Sequence, residues 1–198
     1  MPDPREAILE TFREAGALLE GHFLLSSGLH SPKYLQCALV LQDPARAERL
    51  CSRLARAFAD DRVETVVGPA MGGILVAYEL ARALGARAIF AEREEGRMRL
   101  RRGFRIEPGQ RVLLAEDVVT TGGSLREVLA LVREAGAEVV GVAALVDRTS
   151  GRDPAFGAPL EALVAVEVPT YAPSECPLCR QGLPLVKPGS RQTPGKEK

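Results

Sequence analysis

An alternation of short apolar runs with helical segments between residues 64 and 166 constrains the fold of this chain more than any other feature. The apolar runs cover residues 64–67, 87–91, 111–115, 138–146 and 162–166. Segments with helical spacing occupy residues 72–84 and 123–134, and Gly85 and Gly136 are placed to stop them. Strands that alternate with helices over short connections form right-handed crossovers, and continuous apolar runs are typical of parallel strands buried on both faces. The sequence therefore predicts an α/β fold with a central, mostly parallel sheet flanked by helices.

The first 60 residues carry a different pattern. Residues 4–20 have helical spacing, whereas residues 21–41 contain two short strand-like pieces joined by a Ser/Gly/Pro turn. Asp43 is a candidate N-cap and Pro44 suits the first helical position, which predicts a helix to about Asp60. A small element therefore precedes the alternating region.

Composition excludes several classes of protein. The 198 residues include 26 basic and 26 acidic side chains, for a formal net charge of +0. This balance argues against a general nucleic-acid binder, whose affinity comes mainly from neutralising phosphates. No apolar run reaches the roughly 18 residues of a membrane span, and the first residues lack the pattern of a secretion signal. We therefore expect a cytoplasmic protein without membrane or nucleic-acid partners.

The four cysteines do not form a disulfide framework. Cys37 and Cys51 lie in apolar stretches and are predicted to be core residues, whereas Cys176 and Cys179 form a C-x-x-C pair. No second pair and no histidine nearby in the sequence completes a zinc site. The interpretation is inert thiols, with a metal shared across a dimer and redox chemistry as alternatives.

The strongest chemical signal follows the 111–115 run. Glu116 and Asp117 lead into a loop of hydroxyl and glycine residues, 120–124, which opens a predicted helix. Helix N-termini bind phosphate, and carboxylates accept hydrogen bonds from sugar hydroxyls or hold Mg²⁺. The string therefore indicates a phosphorylated ribose. An ordinary helix cap beside a solvated acidic pair is the alternative, whereas a Walker A loop is disfavoured because no Gly-Lys-Ser/Thr follows.

Residues 116–124 resemble the phosphoribosyl-diphosphate motif of the type I phosphoribosyltransferases. Segments 23–34, 68–78, 90–104 and 146–148 resemble, in kind and order, those of the orotate phosphoribosyltransferase family, and the C-terminal region looks like that of one bacterial branch. The resemblance covers roughly residues 5–191. It implies transfer of a phosphoribosyl group to orotate in UMP biosynthesis, with Mg²⁺ carried on the diphosphate. Alternatives are a phosphoribosyltransferase for another base and a non-catalytic sensor of phosphoribosyl diphosphate.

The resemblance also implies an organisation. A single domain, 1–198, would comprise a core of about 42–167 and a hood built from about 1–41 and 168–190, with a disordered tail at 191–198. Members of the family act as homodimers in which a mobile loop, here 92–105, closes over a site and is often shared between subunits. A solvated charged hairpin is the alternative for that segment.

The same resemblance assigns roles to residues. Glu116 and Asp117 would hold the ribose and stabilise its cationic transition state, while Arg93 and Arg97 would act on the leaving group. A turn containing Met71 and Gly72, with a cis peptide at Ala70–Met71, would bind the diphosphate. The full set of phosphoribosyl-diphosphate contacts is Glu116, Asp117, Val118, Val119, Thr120, Thr121, Gly122, Gly123, Ser124, Met71, Gly72, Arg93, Arg97 and Arg99.

Orotate would lie between the 120–124 loop and the hood. Arg148 would hold its carboxylate, since a guanidinium grips a carboxylate through two hydrogen bonds. A surface pair between Asp147 and Arg148 is the alternative. The remaining orotate contacts implied are Thr120, Ser27, Gly28, Tyr34 and Leu35, in a hood turn that also contains Ser26. No protein ligand for a metal is assigned, except that Asp117 is a candidate for Mg²⁺.

Overall fold

A six-stranded sheet forms the centre of the protein in the computed structural model, which describes residues 3–25 and 27–188. Its strands are β3 (Thr65–Pro69), β4 (Arg87–Glu94), β5 (Arg97–Leu100), β6 (Arg111–Val119), β7 (Glu138–Asp147) and β8 (Leu160–Ala165). The spatial order is β5-β4-β3-β6-β7-β8, and only the β4–β5 pairing within this sheet is antiparallel. The predicted α/β fold with a mostly parallel sheet is confirmed.

Helices cover both faces of this sheet. Before the sheet come β1 (Leu18–Leu24) and β2 (His30–Leu35), and the helices are α1 (Pro4–Glu14), α2 (Ala38–Leu41), α3 (Pro44–Ala55), α4 (Gly72–Leu84), α5 (Gly123–Glu134) and α6 (Pro177–Arg180). Along β6 the side chains alternate between the faces. Leu113 and Ala115 join the apolar cluster that includes α3 and α4, whereas Val112 and Leu114 join the cluster that includes α5. All four are fully buried, so β6 lies at the centre of the core.

Local chemistry sets several boundaries as predicted. The Asp43 carboxylate accepts hydrogen bonds from the backbone N–H groups of Ala45 and Arg46, and Pro44 opens α3. Helix α3 ends at Ala55, earlier than the predicted end near Asp60, and the chain continues as a 3₁₀ turn to Phe58. Helix α4 has the predicted bounds and stops at Gly85, whose φ of 67° suits a residue without a Cβ.

Other predicted boundaries differ from the structure, two of them near the site or the hood. Leu18 and Leu19 begin β1 and do not extend the first helix, because α1 ends at Glu14 and Gly16 turns the chain at a φ of 64°. Strand β6 continues beyond Ala115 to Val119, because it keeps pairing with β7 as far as Asp147. Glu116 and Asp117 therefore lie within the strand, and the loop begins after Val119. The short helix α2 was not predicted.

The hood consists of two distant parts of the chain. Strands β1 and β2 form an antiparallel hairpin, and the segment around Tyr171 and Val186 borders it on both sides. His30 and Tyr171 exchange two backbone hydrogen bonds of 2.9 Å, and Leu24 N–H donates to the Val186 carbonyl at 2.8 Å. The C-terminal segment thus extends the two-stranded hairpin and completes the hood. The predicted tail at 191–198 and Ser26 lie outside the described residues.

Within the described residues, none of the helices is long and apolar enough to cross a membrane.

Candidate functional site

The turn after β3 brings two chain segments into close approach. A Cβ on Gly68 would lie 2.2 Å from the Gly73 carbonyl oxygen, so only a glycine fits there. The predicted cis peptide between Ala70 and Met71 is confirmed. A Cβ on Gly72 would lie 2.6 Å from Asp117 Oδ1. The first turn of α4 is thus packed directly against the carboxylate of Asp117.

The loop after β6, residues 120–124, surrounds a cavity of about 250 Å³. Gly122 has a φ of 74°, and a Cβ there would lie 2.8 Å from the ring of buried Phe156. Arg126 Nη1 donates to the carbonyls of Thr121, at 2.6 Å, and Pro154, at 3.0 Å. The loop therefore packs against the Phe156 ring and is held by two hydrogen bonds from the Arg126 guanidinium. The cavity also has Arg93 and Glu116 in its wall.

The acidic pair at the end of β6 faces two neighbouring subsites. Glu116 lines the cavity of the 120–124 loop, whereas the Asp117 carboxylate lies at the Gly72 turn, as expected for successive residues of a strand. Asp117 Oδ1 accepts from the Val118 N–H at 2.8 Å. Burial, followed by the charge of Asp117, raises the pKa of Glu116. Neither carboxylate forms a salt bridge within the described residues, so the pair is suited to a cation.

Arg93 lies in the cavity wall, but its charge is already paired. Both of its terminal nitrogens bind the Glu127 carboxylate of α5, and Nη1 also donates to the Gly96 carbonyl at 2.7 Å. These bonds raise the pKa of Arg93, and the hydrogen bond from Arg93 lowers that of Glu127. The guanidinium is about half exposed. It can therefore leave Glu127 for a more strongly charged anion.

The prediction of a loop is wrong for residues 92–100, which form the β4–β5 hairpin; the alternative of a charged hairpin is confirmed for this part of the segment. Glu95 and Gly96 turn the chain at positive φ, and Met98 is buried against the α5 side of the core. Cross-strand ion pairs, such as Arg99 to Glu94 at 3.5 Å, neutralise much of the charge. The alternation of Met98 and Leu100 with arginines was the missed signal for a strand.

Arg97 and Arg99 do not line the cavity. They lie on β5 beside the outer face of α5, in a groove that also contains Ala130 and Glu134. Of the three arginines assigned to phosphoribosyl diphosphate, only Arg93 reaches the cavity of the 120–124 loop.

Arg148 follows β7 directly and lies beside the end of β6. Its backbone N–H donates to the Val119 carbonyl at 2.8 Å. Its Nε is buried and has no hydrogen-bond partner among the described residues, and burial lowers the pKa of the guanidinium. Asp147 forms no salt bridge with it within the described residues; its Oδ1 accepts from the Thr149 N–H at 2.7 Å. The alternative of a surface pair is therefore wrong, and a buried donor is left open beside the loop.

The hood residues fall into two groups. Tyr34 is half-buried and close enough to Arg148 to oppose slightly the lowering of the Arg148 pKa by burial, and its ring lies 5.9 Å from that of Phe23. Ser27 and Gly28 form the exposed turn between β1 and β2. Leu35 instead packs its side chain in the core at 8 % exposure, so only its backbone remains available to a base.

Two histidines that are distant in the sequence lie close to Cys176 and Cys179 in the folded chain, so the prediction that no histidine completes this pair is wrong. His22 and His30, from the hood hairpin, lie against both thiols. Sequence proximity could not show this, because 154 residues separate His22 from Cys176. The sequence reasoning also missed Arg126, Glu127 and Phe156, which support the 120–124 loop and Arg93; no local motif marks them.

Comparison with known proteins agrees with this geometry. The model of the phosphoribosyl transferase domain matches residues 40–158. The orotate phosphoribosyltransferase of Caldicellulosiruptor bescii is 56 % identical over 188 residues, covering 95 % of this chain and 98 % of that protein. That of Pelotomaculum thermopropionicum is 58 % identical with the same coverage.

Solved structures show the same likeness. The crystal structure of orotate phosphoribosyltransferase from Aeropyrum pernix has a TM-score of 0.65 at 27 % identity, over 80 % of this chain and 93 % of that one. From the domain match and the extensive identity with these relatives, we conclude that this chain belongs to the phosphoribosyl transferase domain family and, within it, to the orotate phosphoribosyltransferases.

Proposed function

We propose that the chain transfers the 5-phosphoribosyl group of phosphoribosyl diphosphate to orotate, yielding orotidine 5′-monophosphate and diphosphate. The bond from the sugar C1 to the diphosphate oxygen breaks, its electron pair leaves with diphosphate, and a ring nitrogen of orotate forms the new bond to C1. The proton of that nitrogen is released to the diphosphate or to solvent. The observation that carries this proposal is the buried, unpartnered Nε of Arg148 beside the 120–124 loop. A buried donor of this kind calls for an acceptor, and a carboxylate distinguishes orotate from neutral bases.

The 5′-phosphate fits the 120–124 loop. Backbone N–H groups at the start of α5 and the hydroxyls of Thr120, Thr121 and Ser124 surround the cavity, which the positive end of the helix dipole favours for an anion. The supports from Phe156 and Arg126 hold this loop before the ligand arrives. Most of the catalytic contribution would then come from positioning.

The ribose fits between that loop and the Gly72 turn. There, Glu116 and Asp117 accept hydrogen bonds from its hydroxyls. Positive charge develops on the sugar as the C1–O bond breaks, and the carboxylates of Glu116 and Asp117 stabilise it. The same positive charge offsets the burial and the repulsion from Asp117 that raise the pKa of Glu116 to about 9 in the free protein.

The residues at this position also fit Mg²⁺. Carboxylate oxygens are the ligands it prefers, and the Asp117 carboxylate lies against the turn assigned to the diphosphate. When bound with the diphosphate, the ion would neutralise charge on the leaving group. Asp117 would hold it directly or through water.

The leaving diphosphate would lie at the turn of Met71 and Gly72, and Arg93 would reach it from the wall of the adjacent cavity of the 120–124 loop. Arg93 would exchange its bonds to Glu127 for bonds to phosphate oxygens, which carry more charge than a carboxylate. Arg97 and Arg99 flank Met98, the cross-strand partner of Arg93, but they do not line the cavity that Arg93 lines, so in this chain we assign them no direct contact.

We also propose that the enzyme is a homodimer, in which the 92–105 segment lies at the interface and is shared between the subunits. Met71, Leu75 and Tyr78 are 83 %, 49 % and 61 % exposed, and their spacing places them on one face of α4. An apolar stripe beginning at the site is suited to a partner surface. A cytoplasmic location stays a prediction.

Measuring which base the protein uses as a substrate tests the proposal. Purified protein is supplied with phosphoribosyl diphosphate and Mg²⁺, and diphosphate release is measured with orotate, uracil, adenine or xanthine. We expect release with orotate alone. Turnover of another base in place of orotate would identify a different phosphoribosyltransferase, and binding of phosphoribosyl diphosphate without release for any base would identify a sensor.

A further inference from the structure

Four side chains outside the catalytic cleft converge in the hood: His22 on β1, His30 at the start of β2, and Cys176 and Cys179 from the C-terminal segment. Their ligand atoms all lie within 4.8 Å of one another. Three of the residues are at most 5 % exposed, and Cys179 alone is open to solvent. All four cysteines of the chain are free thiols. None of these groups takes part in the proposed reaction.

The separations suit a tetrahedral ion. Zinc bonds of about 2.3 Å to sulfur and about 2.0–2.1 Å to nitrogen put neighbouring ligand atoms about 3.3–3.8 Å apart. Cys176 Sγ lies 3.6 Å from His22 Nε2, Cys179 Sγ lies 3.7 Å from the same atom, and Cys179 Sγ lies 3.3 Å from His30 Nδ1. His22 Nε2 and His30 Nδ1 are 2.9 Å apart and would separate by about half an ångström on binding.

A backbone contact prepares one ligand for the ion. The Leu183 carbonyl lies 2.8 Å from His22 Nδ1 and can only accept, so Nδ1 carries the proton and donates it. In this neutral form of the ring, Nε2 is unprotonated and its lone pair faces the cluster. Ligating histidines in zinc sites are oriented by this kind of outer hydrogen bond.

We propose that His22, His30, Cys176 and Cys179 bind one structural Zn²⁺. Two thiolates and two imidazoles suit zinc better than the hard ions Mg²⁺ or Ca²⁺, and four protein ligands leave no position for substrate. On binding, both thiols release their protons, and His30 keeps its proton on Nε2 so that Nδ1 can ligate. The exposed edge at Cys179 is the route of entry.

The ion would fasten the hood together. It would link the hairpin that carries the Ser27–Gly28 turn and Tyr34 to a segment about 150 residues later, at a place where backbone hydrogen bonds already join them. A two-stranded hairpin is marginal by itself, so a metal link is an effective way to fix it.

Metal analysis of the whole, untagged chain tests the proposal. Purified protein should contain about one zinc ion per chain, measured by inductively coupled plasma mass spectrometry. Cys179→Ser and His30→Ala should each lose most of this metal, whereas Cys51→Ala, which removes a buried thiol of α3, should retain it. Equal zinc in Cys179→Ser and the parent protein would overturn the proposal.

A second measurement avoids any dependence on variants. Protein stripped with a chelator and titrated with Co²⁺ should show tetrahedral cobalt bands and thiolate-to-cobalt absorption, and added Zn²⁺ should raise its Tm. Absence of thiolate-to-cobalt absorption, or a Cys176–Cys179 disulfide in protein purified under reducing conditions, would refute the site. These readouts are independent of turnover, so their failure leaves the proposed reaction untouched.

Discussion

The two halves of the binding cleft are built in different ways. The 120–124 loop and the acidic pair continue from β6, whose residues 112–115 are fully buried between two layers of helices. The hood opposite is a two-stranded hairpin with several half-exposed residues, bordered by a distant segment. Groups on the sheet are therefore held by a packed core, whereas groups on the hood depend on a few hydrogen bonds between distant parts of the chain. Changes on the sheet side should alter chemistry at constant fold, and changes on the hood side should alter fold and base binding together.

The largest expected effect sharpens this contrast on the sheet side. Asp117→Asn removes a charge at the ribose without changing shape and should lower kcat on the order of 10²- to 10³-fold. Thermal unfolding should shift little, because Asp117 forms no salt bridge in the described part of the chain. Glu138→Gln, at the opposite end of the sheet, is the control and should retain activity. Equal losses in both variants would contradict the assigned role.

Arg148→Ala tests the point where the two halves meet. Loss of a charged donor to the orotate carboxylate should raise the orotate KM about 10- to 100-fold, which corresponds to about 1.5–3 kcal/mol. The KM for phosphoribosyl diphosphate should stay nearly constant in steady-state kinetics. An unchanged orotate KM would show that another group holds the carboxylate.

Gly72→Ala separates packing from chemistry. The new Cβ would meet the Asp117 carboxylate at 2.6 Å, so the acid must move and kcat should fall about tenfold. Overpacking should also cost about 1–3 kcal/mol in the free energy of unfolding.

Gly141→Ala is the matched control, since its Cβ would meet Phe58 at 2.7 Å in the core, away from the site. It should lose similar stability in urea denaturation but keep kcat. If both variants lose kcat equally, the effect at Gly72 comes from general destabilisation.

The smallest effect is expected at the hairpin. Arg93→Ala should lower kcat about three- to fivefold, because the guanidinium is half exposed and competes with its bond to Glu127. Arg97→Ala, on the same hairpin but outside the cavity, should stay within about twofold of the parent. A larger loss in Arg97→Ala would mean that the segment acts in another position, such as the partner's site.

Local sequence predicted the sheet side well because its chemistry is contiguous. Residues 116–124 bring the acids, the loop and the helix start together without help from elsewhere, and strand–helix alternation sets their position at the sheet edge. The hood was predicted less completely, because the meeting of His22 and His30 with a C-x-x-C pair depends on tertiary folding that no local spacing encodes. The β4–β5 hairpin was predicted only as the alternative to a loop for a related reason: its arginines suggested a loop, but burial of Met98 and cross-strand ion pairs stabilise a strand.

The bond between His30 and Tyr171 has a consequence for the order in which the molecule forms. In an unfolded chain, bringing His30 and Tyr171 together would close the loop between them at a cost of about 4 kcal/mol in entropy. Once β8 is in the sheet, only a short connection from Ala165 to Tyr171 must still be ordered. We therefore expect the sheet to fold first and the hood to close last, so that a nascent chain acquires its phosphate-binding half before it acquires the half that covers the base.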